Sequence, residues 1–219
     1  MKRAEKKKLT VETRRRELVV ATLEAIRKHG YMNATIKTIS EESGLSRGLI
    51  SHYFVNKDEL LLFAYQYLGQ HVDDFHRHVV RTNDGGHFEK LLAAAYVPFL
   101  QTQPYAEIWV HFWSASRMLP QVRAMHQALW GRYRRSVERR MTAVARERGL
   151  ELDIAEATLM YTQLIDGLWV GLFMEEAFDA ETCRRLLRNW LCGLFNESPE
   201  NHPVSPEIEM ATFTTEAPL

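Results

Sequence analysis

Apolar residues return at intervals of three and four along most of the chain, and alternating β-branched runs bounded by hairpin turns are missing. The pattern therefore predicts helices and no sheet. Leu18, Val19, Thr22, Leu23 and Ile26 share one face of a helix expected over about 13–29, with Gly30 in the place of a C-terminal cap. Thr35 is positioned to cap a short second helix through Glu42, Gly44 to supply a tight turn, and Ser46 to cap another short helix ending near Phe54. Two short helices around a glycine turn are the mark of a helix-turn-helix. Asn56, with Glu59 three residues on, makes a capping box for a long helix to about Arg81, which the Asn83-Asp84-Gly85-Gly86 loop ends. Further helices are expected at about 87–100, 105–118, 121–148, 153–177 and 180–195, with Pro104 and Pro120 marking starts. The fold class is all-α: an N-terminal three-helix helix-turn-helix domain followed by a helical domain.

Composition refines this picture. With 219 residues, 46% of them hydrophobic, the chain is long enough for one good core and a small attached module. Its 28 basic and 28 acidic residues cancel, but they are unevenly spread. Among the first sixteen residues Lys2, Arg3, Lys6, Lys7, Lys8, Arg14, Arg15 and Arg16 face only Glu5 and Glu12. From Glu197 onward there are five acidic residues, four prolines and no Lys or Arg, the composition of a disordered acidic tail. The organisation expected is a basic arm over 1–12, a helix-turn-helix domain over 13–55, a larger helical domain over 56–195, and the tail over 196–219. No secretory signal or membrane span is evident, and the two cysteines, Cys183 and Cys192, read as free buried thiols in a reducing cytoplasm.

A recognition helix is short and amphipathic, with one face packed on its neighbour and the other bearing groups that reach bases and phosphates. Arg47 to Phe54 fits: Leu45, Leu49, Ile50 and Phe54 are packing residues, which leaves Arg47, Gly48, Ser51, His52 and Tyr53 for the groove. Arg47 is the candidate for reading a guanine. Gly48 costs about 1 kcal/mol inside a helix, so it is either tolerated or placed there to let the backbone approach DNA closely. Thr35, Lys37, Tyr53 and Lys57 are candidate phosphate contacts, two of them near helix starts where backbone N–H groups favour anions. The basic arm neutralises phosphates or simply solubilises the chain.

Residues 18–62 resemble the DNA-binding domain of the TetR family of repressors through Ala21-Thr22-Leu23, Ala34-Thr35-Ile36, Ser43-Gly44-Leu45-Ser46, Tyr53-Phe54 and Lys57. Ile50-Ser51-His52-Tyr53-Phe54, Trp109-Val110-His111-Phe112-Trp113 and Leu164-Ile165-Asp166-Gly167-Leu168-Trp169 are similar to stretches of the choline-responsive BetI-type repressors. The resemblance implies a homodimer whose last two helices pair with their twofold mates, a pseudo-palindromic operator, and control of choline uptake and glycine betaine synthesis genes. The sequence agrees physically, because 159–174 is apolar on nearly every face and needs a cover. Gly167 and Gly171, one turn apart, would let helices cross closely or simply pack in the core.

A quaternary ammonium ligand is held by aromatic faces and commonly a carboxylate. Trp109, Phe112, Trp113, Asp166 and Trp169 are the candidates, although aromatic stripes at helical spacing also serve as core. Asp166, a lone carboxylate in an apolar run, requires a ligand, a structural partner or a dimer contact. The alternative is a TetR-type repressor answering an apolar, drug-like or lipid-like effector. No HExxH, cysteine ligand pair, nucleophile elbow or phosphate-binding glycine loop appears, so neither an enzyme nor a cofactor or metal site is expected.

Overall fold

The computed structural model describes residues 3–100, 107–176 and 178–204, with side chains from residue 11 onward. Its helices are α1 (Arg3–His29), α2 (Ile36–Ser43), α3 (Arg47–Tyr53), α4 (Lys57–Thr82), α5 (His87–Tyr96), α6 (Ile108–Met118), α7 (Pro120–Arg148), α8 (Ile154–Phe173) and α9 (Ala180–Leu194). Among the described residues there is no strand, and no helix is long and apolar enough to cross a membrane. The chain divides into two compact units. One takes residues through His71 together with α6 and α7 as far as Leu129, and the other takes Val72 onward and Trp130 onward.

In the first unit the predicted stripe of α1 is the core: Leu18, Val19, Leu23 and Ile26 are fully buried, as are Ile39 of α2 and Ile50 of α3. Thr22 is buried with them because its hydroxyl donates to the Leu18 carbonyl at 2.6 Å. Phe112 of α6 is also fully buried, stacked on Tyr65 of α4 at 4.0 Å and 4° and met edge-on by Tyr31 at 5.6 Å. The Tyr65 hydroxyl lies 2.8 Å from His126 Nδ1, which satisfies a polar atom inside an aromatic cluster.

In the second unit α5, α7, α8 and α9 bury Phe88, Leu91, Met141, Val144, Tyr161, Leu187 and Phe195. Both cysteines are buried free thiols. Arg184 donates to the Phe99 carbonyl at 3.1 Å, tying α9 to the turn after α5. A methyl group at Gly171 would stand 2.3 Å from Phe178, so this glycine admits a side chain of its own unit, whereas Gly167 faces open space.

Several expectations are corrected. The helix begins at Arg3 and not near Thr13, since Ala4 to Leu9 are good helix formers with nothing to interrupt them. The helix expected over 87–100 stops at Tyr96 and a 3-10 turn follows over Val97–Phe99, because Pro98 has no N–H to continue the ladder. The helix expected to reach 177 ends at Phe173, and Glu176 then adopts φ 50°. The start expected at Tyr105 after Pro104 lies outside the described residues. The tail is ordered where it begins: Glu197 pairs with Arg148 at 2.7 Å and with His202 at 3.0 Å, and the His202 ring meets Phe88 edge-on at 4.7 Å. Residues 205–219 lie outside the described residues.

Two outcomes follow from these interiors. Gly171→Ala forces Phe178 to move and is expected to destabilise the protein by about 1–3 kcal/mol in thermal unfolding at fixed concentration. His76 is buried, and desolvation lowers its pKa from 6.5 to about 4. Between those values the unfolded chain binds the extra proton, so the stability that His76 supplies is complete above pH 6.5 and lost as pH falls toward 4. His76→Phe is expected to flatten that part of a stability-against-pH curve measured by chemical denaturation.

Candidate functional site

The helix-turn-helix is assembled from local hydrogen bonds. Thr35 Oγ1 accepts from the Thr38 N–H at 3.2 Å while Thr38 Oγ1 accepts from the Thr35 N–H at 2.8 Å, a capping box that starts α2. Gly44 takes the left-handed conformation, φ 67°, that turns the chain out of α2. Ser40 then donates to the Leu45 carbonyl at 2.6 Å, and Ser46 Oγ accepts from the Leu49 N–H at 3.3 Å to start α3. At α4, Asn56 Oδ1 accepts from the Glu59 N–H at 2.9 Å, and Glu59 reaches back to the Val55 N–H at 2.6 Å. The return bond thus lands one residue before the one the sequence suggests.

These bonds divide α3 into two faces. Ile50 and Phe54 are buried, Leu45 and Leu49 are half-buried, and Arg47, Gly48, Ser51 and His52 are exposed, with Tyr53 half-buried against the His52 ring at 5.2 Å. Among the described residues no carboxylate pairs with Arg47. A methyl group built on Gly48 meets nothing within 4 Å, so internal packing does not demand glycine there. Thr35 and Lys37 are exposed, with Lys37 Nζ 3.9 Å from Glu41 one turn on. The Lys57 amine donates to the Met32 carbonyl at 3.5 Å, which holds it at the start of α4.

One residue of the basic segment has a different role from the one its charge suggests. The Arg15 guanidinium lies 5.0 Å from the centroids of both Phe54 and Phe63, clasping the residue that ends α3. Nothing in the spacing of Arg14-Arg15-Arg16 marks the middle one, because its partners are 39 and 48 positions away (54 − 15 and 63 − 15).

The five candidate effector residues fall in the two units. In the first, Trp109 and Trp113 are half-buried on α6, with Trp109 edge-on to Tyr65 at 5.8 Å, while Phe112 between them is part of the interior stack. In the second, Asp166 is half-buried on α8, and the Trp169 ring is buried and lies 5.0 Å from Phe173. Burial raises the Asp166 pKa, while the Trp130 indole hydrogen bond and the positive charge of Arg134 act to lower it. The partner that Asp166 requires is therefore in part Trp130, which the sequence reading did not single out.

Residues 18–63 match the model of bacterial regulatory proteins of the tetR family, and residues 90–196 match that of the BetI-type transcriptional repressor C-terminal domain. The chain belongs to the TetR family and is a transcriptional repressor of the BetI type, not an enzyme. It is 33% identical over 187 residues to the HTH-type transcriptional regulator BetI of Cronobacter sakazakii, covering 81% of this chain and 89% of that protein. It is 30% identical over 191 residues to BetI of Ectopseudomonas mendocina, covering 81% and 91%. Among solved structures, a transcriptional regulator of Pseudomonas aeruginosa PAO1 superposes with a TM-score of 0.76 at 26% identity, over 88% of this chain and 95% of that one. A regulator of Saccharomonospora viridis in complex with choline shares the fold, with a TM-score of 0.73 at 21% identity over 82% and 96%. Regulators of this family bind operator DNA and typically dimerise.

The open surroundings of Gly48 generate a test. Gly48→Ala is expected to leave stability unchanged or raise it by up to about 1 kcal/mol, since alanine is the better helix former. It is nevertheless expected to weaken operator binding if the α3 backbone meets DNA there. Thermal unfolding and fluorescence anisotropy on the same preparation check both halves, and unchanged affinity would make Gly48 a merely tolerated residue.

Proposed function

We propose that this repressor binds a pseudo-palindromic operator as a homodimer and releases it when choline or a related quaternary ammonium compound enters its C-terminal domain, controlling genes of choline uptake and glycine betaine synthesis. The observation that carries the DNA half is the exposed face of α3. Arg47 reads a guanine, with Gly48, Ser51 and His52 beside it in the groove, and Thr35, Lys37, Tyr53 and Lys57 hold phosphates. We assign DNA contact to residues 13–55 and effector binding and dimerisation to 56–195.

Dimerisation is supported by an apolar surface with no cover among the described residues of its own unit. Leu159, Met160, Phe173 and Met174 of the α8 segment and Leu186 of α9 are exposed, and Gly167 faces open space among them. Water-facing apolar residues on two neighbouring helices favour a twofold four-helix contact, in which the same patch serves both copies.

The effector half rests on Asp166. A carboxylate raised in pKa by burial, with tryptophans Trp130 and Trp169 near it in its unit, offers what a ligand without an N–H donor needs. Trp109 and Trp113 are proposed as further aromatic contacts, with Phe112 as their structural backing. The BetI-type C-terminal match and the choline bound by the Saccharomonospora viridis regulator support this choice of ligand. Release requires only that the ligand favour an arrangement in which the two α3 helices no longer fit one operator.

The test is fluorescence anisotropy with DNA from upstream of the protein's own gene, titrated with and without choline against scrambled DNA. Binding is expected to be specific and weakened by choline, and specific binding indifferent to choline would discard this effector. Arg47→Ala is expected to cost about 1–3 kcal/mol on the operator while barely changing affinity for scrambled DNA. Met160→Glu is expected to shift the protein from dimer to monomer in analytical ultracentrifugation and to abolish operator binding with it.

A further inference from the structure

The outer face of α7 carries a row of positive charge that the second unit leaves unbalanced. Between Arg132 and Arg146 the sequence holds six arginines and one acidic residue, Glu138. Arg132, Arg135, Arg139 and Arg146, with Thr142 in the gap, follow at helical intervals and so share one side of the helix over about 21 Å. All four are exposed, because Val137, Met141 and Val144 turn the opposite side into the core. Arg132 approaches Asp73 to 3.7 Å. Among the described residues no carboxylate pairs with Arg135, Arg139 or Arg146.

The row runs into an open cavity of about 540 Å³, lined by Thr142, Ala145 and Arg146 of α7 and by Leu150, Leu152 and Ile154 of the turn into α8. Of the two carboxylates that also line it, Glu151 is exposed and Asp153 is engaged as the cap of α8, accepting from the Glu156 N–H at 2.9 Å. A partner for this surface has to offer negative charge along the helix and an apolar side chain at the cavity.

The chain leads a segment of that chemistry to the same helix. Residues 205–219 contain Glu207, Glu209 and Glu216 and no Lys or Arg, and acidic and apolar residues alternate in Glu207-Ile208-Glu209-Met210. The segment before it is fastened at the end of α7: Glu197 pairs with Arg148 at 2.7 Å, His202 lies 3.0 Å from Glu197, and Arg188 donates to the His202 carbonyl at 3.5 Å. Arg148 falls between Arg146 and Leu150 of the cavity lining. Five extended residues, the distance from His202 to Glu207, span about 17 Å, which exceeds the width of about 10–12 Å of a helix with its side chains. The tail therefore has the length to pass from Arg148 round to the outer face of α7.

We propose that Glu207 to Met210 docks on the outer face of α7, with Glu207 and Glu209 on the arginine row and Ile208 between them at the cavity. Successive side chains of an extended segment point to opposite sides, so one short stretch serves both halves of the surface. Docked there, the tail covers a row of arginines that would otherwise attract nucleic-acid phosphate regardless of sequence.

The experiment is limited digestion of the full-length protein with a glutamate-specific protease, followed by intact mass, with the rate of cleavage after Glu209 taken relative to that after Glu216. Cleavage follows the undocked population, so wild type is expected to be cut after Glu209 about tenfold more slowly than the double variant Arg139→Gln/Arg146→Gln. Both arginines are exposed, and the thermal unfolding of that variant is expected to match wild type. Raising the salt to about 0.5 M is expected to bring wild type to the variant's rate, since it screens solvent-facing charges. Equal relative rates in wild type and variant at low salt overturn the docking and leave the row to a partner outside the chain. Protection that survives the arginine substitutions but is lost on deleting residues 2–8 also overturns it, because the tail then lies on the basic arm. Should the variant not fold, the wild-type salt series decides, and a relative rate indifferent to salt overturns the proposal.

Discussion

A helix of seven residues has almost no stability of its own, because the cost of nucleating the first turn is spread over too few hydrogen bonds. The exposed face of α3 therefore depends on how that helix is held from behind. Ile50 is fully buried, Phe54 nearly so, and Arg15 lies over the Phe54 ring, reaching it from α1. Ser46 caps the start, and Gly44 turns the chain so that the cap falls where it must. With the inner face carrying the burial, Arg47, Gly48, Ser51 and His52 are left exposed on the outer face.

The second unit works under the opposite constraint. Its helices are rich in apolar surface, so the informative residues are the few polar groups inside and the few apolar ones outside. Asp166 and His76 are interior groups whose burial acts against charge, upward in pKa for the acid and downward for the base. Each is costly for the fold. The exposed Leu159, Met160 and Leu186 are the matching anomaly on the surface. α4 contributes residues to both compact units, those through His71 to the first and those from Val72 to the second.

Much of the fold was legible because much of it is local. The caps at Thr35, Ser46 and Asn56, the stops at Gly30 and Gly44, and the buried stripe of α1 all depend on residues within four positions of one another, so composition and spacing suffice. The errors arose where one local signal overrode another, as when Pro98 ended a helix that periodicity would have continued. Of the candidate site, the division of α3 into an inner and an outer face could be read from its pattern, since a seven-residue amphipathic helix can bury only one side.

What the sequence by itself determined is the succession of helices, the two-faced α3 and the need of Asp166 for a partner, all consequences of spacing and solvation along one segment. Only the tertiary structure decided that Arg15 clasps Phe54 and Phe63 instead of remaining part of a uniformly solvated basic run, and that Phe112 stacks on Tyr65. It alone decided that Gly171 makes room for Phe178, that Trp130 answers Asp166, and that Glu197 and His202 dock on Arg148 and Phe88. It also left His76 Nε2 buried with no hydrogen-bond partner among the described residues. These pairings join residues brought together by the packing of whole helices. The energy of a contact belongs to the pair and not to either residue, so no reading of one segment at a time contains it.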